Sequence, residues 1–252
     1  MFINVRIPRR VLFLGGIFLL LVFLYGGGQL VKAAKVAGLK PVEQVPTQEK
    51  AVALTMNVDW GEEYIPDVLR TLEKRDTKIT FFVTGRWAKK NPELLKQIAA
   101  AGHEIENHGY SHPHPDRLSV AANQEEIKKT ESIIRGITGR TTAYYAPPYG
   151  ERGLSGLKAA QELGYTTILW TLDTVDWRPD STPQSIAGRV LYPGKQSGRV
   201  PDQRGAIVLM HPKENTLKAL PMIIDKLKRD GFRLITVDEL ITLNRAGNTT
   251  SE

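Results

Sequence analysis

Ala51-Val-Ala-Leu-Thr-Met-Asn-Val58 is an apolar, partly β-branched run that ends in the polar turn Asp59-Trp-Gly61 and leads into an amphipathic stretch from Pro66 to Arg75. A strand that passes to a helix through a short polar loop is the repeating unit of an α/β fold, and here the unit recurs. Further β-branched or aromatic runs lie at 78–84, 103–107, 142–146, 166–172, 205–211 and 232–237, making seven expected strands with the first. Helical periodicity fills the intervals at 66–75, 92–101, 119–137, 156–163 and 217–229. Gly102, Gly164 and Gly231 each stand between a helix and the next strand, where a left-handed residue turns the chain. This alternation predicts parallel strands with helices outside them, in a distorted (β/α) barrel of about seven strands.

The polar clusters obey a rule of position. Asn57 to Gly61 follow the first strand, His108 to His112 the third, Pro147 to Gly150 the fourth and Asp173 to Trp177 the fifth, while His211 closes the sixth. In a parallel barrel the loops that follow the strands converge on one mouth, so these clusters are expected to form one composite site.

Composition narrows the rest. The 252 residues, 41% hydrophobic and 24% charged, suit one domain of roughly 200 residues with an appendage. Net charge is +7, but Lys and Arg are scattered along helix-like segments without a long run, so nucleic acid is not an expected partner. Gly26 to Gly28 lie inside an apolar segment and not between a strand and a helix, which argues against a phosphate-binding loop. There is no cysteine, so any metal must rest on His, Asp or Glu.

Arg6, Arg9 and Arg10 precede an uncharged stretch from Val11 to Val31 that is long enough to span a bilayer. The expected organisation is a cytoplasmic segment 1–10, a transmembrane anchor 11–31, a linker 32–50 with Pro41 and Pro46, a folded domain 51–243 outside the cell, and a tail 244–252. A secretory signal that is cleaved is the alternative for 11–31.

His108 and His112 lie in His-Gly-Tyr-Ser-His-Pro, which by itself leaves a metal site and a surface pair equally open. Five segments in order change that balance: Ala53 to Gly61, His108 to Pro113, Ala146-Pro-Pro-Tyr-Gly150, Asp173-Thr-Val-Asp176-Trp177 and Leu209-Met-His211. In these the chain resembles the polysaccharide deacetylases of the NodB-homology type, a carbohydrate esterase group, over about residues 51–240. The form of the first segment is similar to a subset associated with spore-forming bacteria. The resemblance implies a distorted barrel, membership of the metal-dependent hydrolases, and removal of N-acetyl groups from amino sugars of a cell-wall glycan such as peptidoglycan. It also implies a divalent metal, expected to be zinc, held by Asp59, His108 and His112. His211 would then be the general acid, oriented by Asp176; the backbone N–H of Tyr149 would face the oxyanion; and Pro148, Trp177 and Leu209 would wall the substrate pocket.

Two positions depart from the family pattern. Asn57 stands where the family has the aspartate that acts as base, and Ala146 where it has the arginine that holds that base. Asparagine cannot take the proton, and an arginine buried without its partner would be costly, so the two departures belong together. Asp59 as base and not ligand, Glu62 or Glu63 as base, and a domain that binds glycan without hydrolysing it are all open alternatives.

Overall fold

A computed structural model describes residues 39–193 and 203–249 of the chain. The expected segments 1–10 and 11–31 lie outside the described residues, among which no helix is long and apolar enough to cross a membrane. The first strand, β1 (Ala51–Val58), is buried along all eight residues. That fits a run with no polar alternation, because strands covered on both faces are continuously apolar. Its even-numbered side chains Val52, Leu54, Met56 and Val58 join the large cluster beneath the helices, whereas Ala51 and Ala53 join the smaller cluster that fills the barrel. The two-residue period of a strand therefore decides what faces the interior.

β1 is also paired on both edges. β7 (Ala206–Met210) runs parallel to Val52–Met56 on one side. β2 (Thr80–Val83) pairs with Thr55–Val58 on the other, where β8 (Arg233–Ile235) takes the earlier positions Ala51–Ala53. Beyond β2 come β3 (Glu104–Asn107), β4 (Tyr144–Tyr145) and β5 (Thr166–Thr167), and beyond β7 comes β6 (Leu172–Asp173), every pair being parallel. The expected parallel α/β architecture is thus present, as a curled eight-stranded sheet whose path runs from β5 to β6 and makes a half-barrel. The single strand expected over 166–172 is instead two short ones: the chain leaves β4 after Thr167 and enters beside β7 only at Leu172.

The seam between those two short strands is bridged by residues expected to be a free linker. Val42 pairs in parallel with Ile168, and Gln44 antiparallel with Ala206. The N–H of Val42 donates to the Thr167 carbonyl at 2.8 Å, that of Leu169 to Val42 at 2.9 Å, and that of Val45 to Gly205 at 2.9 Å. Val45 is itself buried. Exposed strand edges invite wrong pairing, and this segment covers one. A Cβ at Gly205, whose φ is 70°, would lie 1.7 Å from the Val45 carbonyl oxygen, so the close approach requires glycine there.

The helices expected at 66–75, 92–101, 119–137, 156–163 and 217–229 appear as α1 (Ile65–Glu73), α3 (Pro92–Ala100), α4 (Val120–Thr138), α5 (Leu154–Glu162) and α7 (Glu214–Arg229). Gly102, Gly164 and Gly231 all have positive φ at the expected turns. Among the described residues, the α-helices α2 (Gly85–Lys90), α6 (Pro183–Leu191) and α8 (Val237–Thr249) were not anticipated. α6 carries its own start signal, since Thr182 and Ser185 form a capping box around Pro183. α8 runs past the expected domain end at 243.

Two acids sit on the interior side of β3. The N–H groups of Ala143 and Tyr144 donate to Glu106 at 2.9 and 2.8 Å, and those of Val237 and Asp238 to Glu104 at 2.9 and 3.3 Å. Burial pushes Glu104 up to about 7; burial, together with the neighbouring Glu104, pushes Glu106 up to about 9. Both values are raised on folding, so the stability these acids contribute is full below their ordinary value near 4.5 and is lost as pH rises through 7 and 9. Glu106→Gln keeps an acceptor for the two N–H groups and removes that titration. We expect the variant to be more stable than wild type by about 1–3 kcal/mol at pH 8 and to lose the advantage at pH 4, as measured by urea denaturation.

Candidate active site

All five clusters open at the same end of the barrel, around a cleft of about 410 Å³. Asn57, at the end of β1, shares the parity of the interior side chains and lines the cleft, whereas Val58 points to the helices. Asp59 lies one residue beyond the strand and also lines the cleft. Its carboxylate is occupied: Arg86 Nε donates to Oδ1 at 2.6 Å, a second guanidinium nitrogen donates to Oδ2, and Thr84 Oγ1 donates to Oδ1 at 2.8 Å. Burial alone would raise the Asp59 carboxyl, but the hydrogen bonds from Arg86 and Thr84 lead the effects that outweigh it and hold it below the usual range. A carboxylate so stabilised is a poor base. The other candidate bases lie elsewhere. Glu62 pairs with Lys90 at 2.7 Å, and Glu63 lines a neighbouring hollow, so neither reaches the cleft.

The loop after β3 brings His108 and His112 together, with ring centroids 5.0 Å apart and edge to face. Helix α4 fixes this loop through Glu126, which accepts the N–H groups of Tyr110 at 2.9 Å and Ser111 at 2.7 Å and the Ser111 hydroxyl at 3.0 Å. That carboxylate offsets the left-handed backbone of His112, at φ 56°, a conformation that costs a non-glycine residue about 1–2 kcal/mol. His108 is buried and its Nδ1 lies 2.6 Å from the Ala146 carbonyl oxygen; a carbonyl can only accept, so Nδ1 carries the proton and Nε2 is left for the cleft. Burial first, then the charge of His112, depresses His108 to about 3, and burial likewise lowers His112. Both imidazoles are therefore neutral at ordinary pH.

Across the cleft His211 follows β7. Asp176 Oδ1 accepts from His211 Nδ1 at 2.7 Å, while Oδ2 accepts from the His211 backbone N–H and from Thr216 Oγ1, both at 2.7 Å. The Asp176 side chain is 0% exposed, so its position is set entirely by these donors. Preceding it, Val175 has φ 54°, an unusual conformation for a β-branched residue, and is held by Asp173 Oδ1 on its N–H at 2.7 Å and by Ser181 Oγ on its carbonyl at 2.6 Å. This turn aims Asp176 inward. Gly61, at φ 81°, lets the loop after β1 pass beneath Pro212, whose carbonyl oxygen would lie 2.2 Å from a Cβ there. Trp60 can then lie parallel to the His211 ring at 6.0 Å.

Leu209 and Trp177 line the cleft as expected from the sequence; Pro148 does not. Pro148 is buried behind the lip, toward Gly109, because the short turn Pro148–Gly150 presents Tyr149 in its place. Tyr149 has φ 61° and an exposed ring stacked on His114 at 4.0 Å. Trp60, Trp170, Gly150 and Asp173 also line the cleft. Of the groups that sequence reasoning missed, Arg86 had a signal. Thr84-Gly85-Arg86 is a polar cluster directly after β2, where the rule that located the other loops also applies.

The donor chemistry tests the metal implied by the resemblance. Metal ligands must be deprotonated, and two neutral imidazoles, one fixed through its Nδ1–H by a carbonyl, meet that requirement. Asp59 does not complete the set, because Arg86 and Thr84 hold its carboxylate. Among the described residues, no three His, Asp or Glu side chains are placed to share one ion. The site as formed fits a cation bound through His108 and His112, and not the Asp-His-His set expected from the sequence.

Comparison with known proteins agrees with the fold and with the family resemblance. Residues 44–168 match the family model for polysaccharide deacetylase. The uncharacterised protein YlxY of Bacillus subtilis is 35% identical over 206 residues, covering 82% of this chain and 62% of that protein. A peptidoglycan-N-acetylglucosamine deacetylase of Bacillus cereus is 33% identical over 208 residues, covering 79% of this chain and 71% of that enzyme. Among solved structures, a CE4 family pseudoenzyme from Bacillus anthracis aligns with a TM-score of 0.75 at 37% identity, covering 81% of this chain and 69% of that one. The barrel, the convergent loops and these relatives together place the chain in the polysaccharide deacetylase family.

Proposed function

We propose that the chain is a hydrolase that removes N-acetyl groups from amino sugars of a peptidoglycan-like cell-wall glycan, working with the acid side of the reaction intact and the base side reduced. The observation that carries this is the His211–Asp176–Thr216 arrangement: a fully buried carboxylate that fixes Nδ1 of a cleft-lining imidazole and leaves Nε2 for substrate. An imidazole so oriented can protonate a departing amine, the step without which an amide does not cleave. The acetyl group is expected against Leu209 and Trp177, with the backbone N–H of Tyr149 facing the developing oxyanion. His108 and His112 are the donors for a divalent cation, and zinc suits paired imidazoles. Such a cation supplies Lewis acidity. The relatives that are peptidoglycan-N-acetylglucosamine deacetylases support the substrate class.

At the base position Asn57 cannot take the proton from the attacking water, and the neighbouring Asp59 is held by Arg86. General-base catalysis is worth about 10²- to 10⁴-fold, so slow turnover is expected. A second proposal, a domain that binds glycan without turnover, is favoured by the joint presence of Asn57, Ala146 and the Asp59–Arg86 pair, and by likeness to a pseudoenzyme. A mutant of that pseudoenzyme is described as having restored enzymatic activity.

Acetate release from N-acetylglucosamine oligomers and peptidoglycan, with zinc supplied, separates the two proposals. His211→Ala is expected to abolish release while glycan affinity changes little; equal and negligible release by wild type and variant would leave binding alone as the function. Asn57→Asp restores a carboxylate at the base position and is expected to raise the rate, up to the ~10²- to 10⁴-fold a base supplies. We further propose that residues 11–31 tether the domain outside the cell. Protease added to intact cells should then digest the domain, and full protection would contradict the tether.

A further inference from the structure

The Asp59–Arg86 pair does more than remove a base. The guanidinium and the Thr84 hydroxyl together place three donors on two carboxylate oxygens, in the bidentate geometry that makes Arg–carboxylate pairs strong. Arg86 is carried on a segment locked to the histidine loop: the Gly85 N–H donates to the Gly109 carbonyl and the Arg86 N–H to the Tyr110 carbonyl, each at 3.0 Å. Thr84 in turn caps α2, accepting the Trp87 N–H at 3.3 Å. The backbone that presents His112 therefore also presents the cation that competes for Asp59.

Asp59 lines the same cleft as His108 and His112. Its side chain is 10% exposed, against 50% for Arg86, so the carboxylate sits inward while the guanidinium reaches it from the solvent side. A divalent ion drawn to His108 and His112 would meet a fixed positive charge on the Asp59 carboxylate. We propose that Arg86 acts as a built-in competitor for the metal: by holding Asp59 it leaves a two-imidazole site of low cation affinity, and its removal frees Asp59 to become the third donor. This rests on the assignment of His108 and His112 as the cation donors.

The test is calorimetric titration of Zn²⁺ into the full-length chain and its variants, with the visible spectrum of bound Co²⁺ as a report of coordination. Arg86→Gln is expected to bind one Zn²⁺ about 10- to 100-fold more tightly than wild type, the range over which groups around a metal tune its affinity. Arg86→Lys, which keeps the charge but not the fork, should gain less, and serves as the test if the glutamine variant does not fold. Adding Asp59→Asn to Arg86→Gln should return affinity to the wild-type level. Unchanged Zn²⁺ affinity in the Arg86 variants, or a gain that survives Asp59→Asn, would overturn the proposal. Acetate release by the same proteins separates this outcome from the hydrolase assignment: tighter Zn²⁺ binding with no acetate from any variant would leave the competitor role standing and remove the hydrolase.

Discussion

β1 is buried along its whole length, and its two edges pair with parallel neighbours, β7 over Val52–Met56 on one side and β8 then β2 on the other. A strand so confined cannot slip by a residue without sending its whole outward set into the barrel. Its register therefore fixes the cleft. Odd positions face inward and even positions face the helices, which puts Asn57 at the cleft and Val58 under the helices. A ligand at position 58 would be turned away from the histidines, and Asp59, the next side chain available, lies where Arg86 meets it.

From that constraint the site divides into unequal halves. On one side, Asp176 is buried, saturated with donors and aimed by a turn that accepts backbone strain at Val175. Strain persists only where surrounding contacts over-determine it, and here they converge on the orientation of one imidazole. On the other side, Asn57 is a neutral amide and the Asp59 carboxylate is engaged by Arg86 and Thr84. Neither Asn57 nor Ala146 carries a charge, and Arg86 meets its own partner at Asp59, so this half is electrostatically closed. The same fold thus fixes one cleft imidazole through a buried carboxylate and engages the carboxylate of Asp59 with Arg86 and Thr84.

Most of the barrel could be read from local patterns, because β1, the helices at 92–101 and 119–137, and the glycines at 102, 164 and 231 carry their signals within a few residues. The composite site was legible for a related reason: loops after parallel strands must meet, so His108, His112, Asp176 and His211 were placed together by topology. What could not be read depended on distant partners. The break after Thr167 is set by Val42, more than a hundred residues earlier, and the segment around Val45 looked like a linker because its hydrogen bonds are to Gly205 and Thr167. Pro148 was misplaced by one residue within a turn whose left-handed Tyr149 decides what reaches the cleft. The engagement of Asp59 was invisible because an ion pair across 27 residues leaves no periodic trace.

The central claim is that the cleft presents an N-acetyl group to an imidazole prepared to protonate its nitrogen. A crystal structure of the protein with a bound N-acetylglucosamine oligomer tests it most directly. The expected result is an acetyl group lodged against Leu209 and Trp177 with the amide nitrogen at hydrogen-bonding distance from His211 Nε2. A sugar bound elsewhere on the surface, or one lying in the cleft with its acetamido group pointing away from His211, would contradict it.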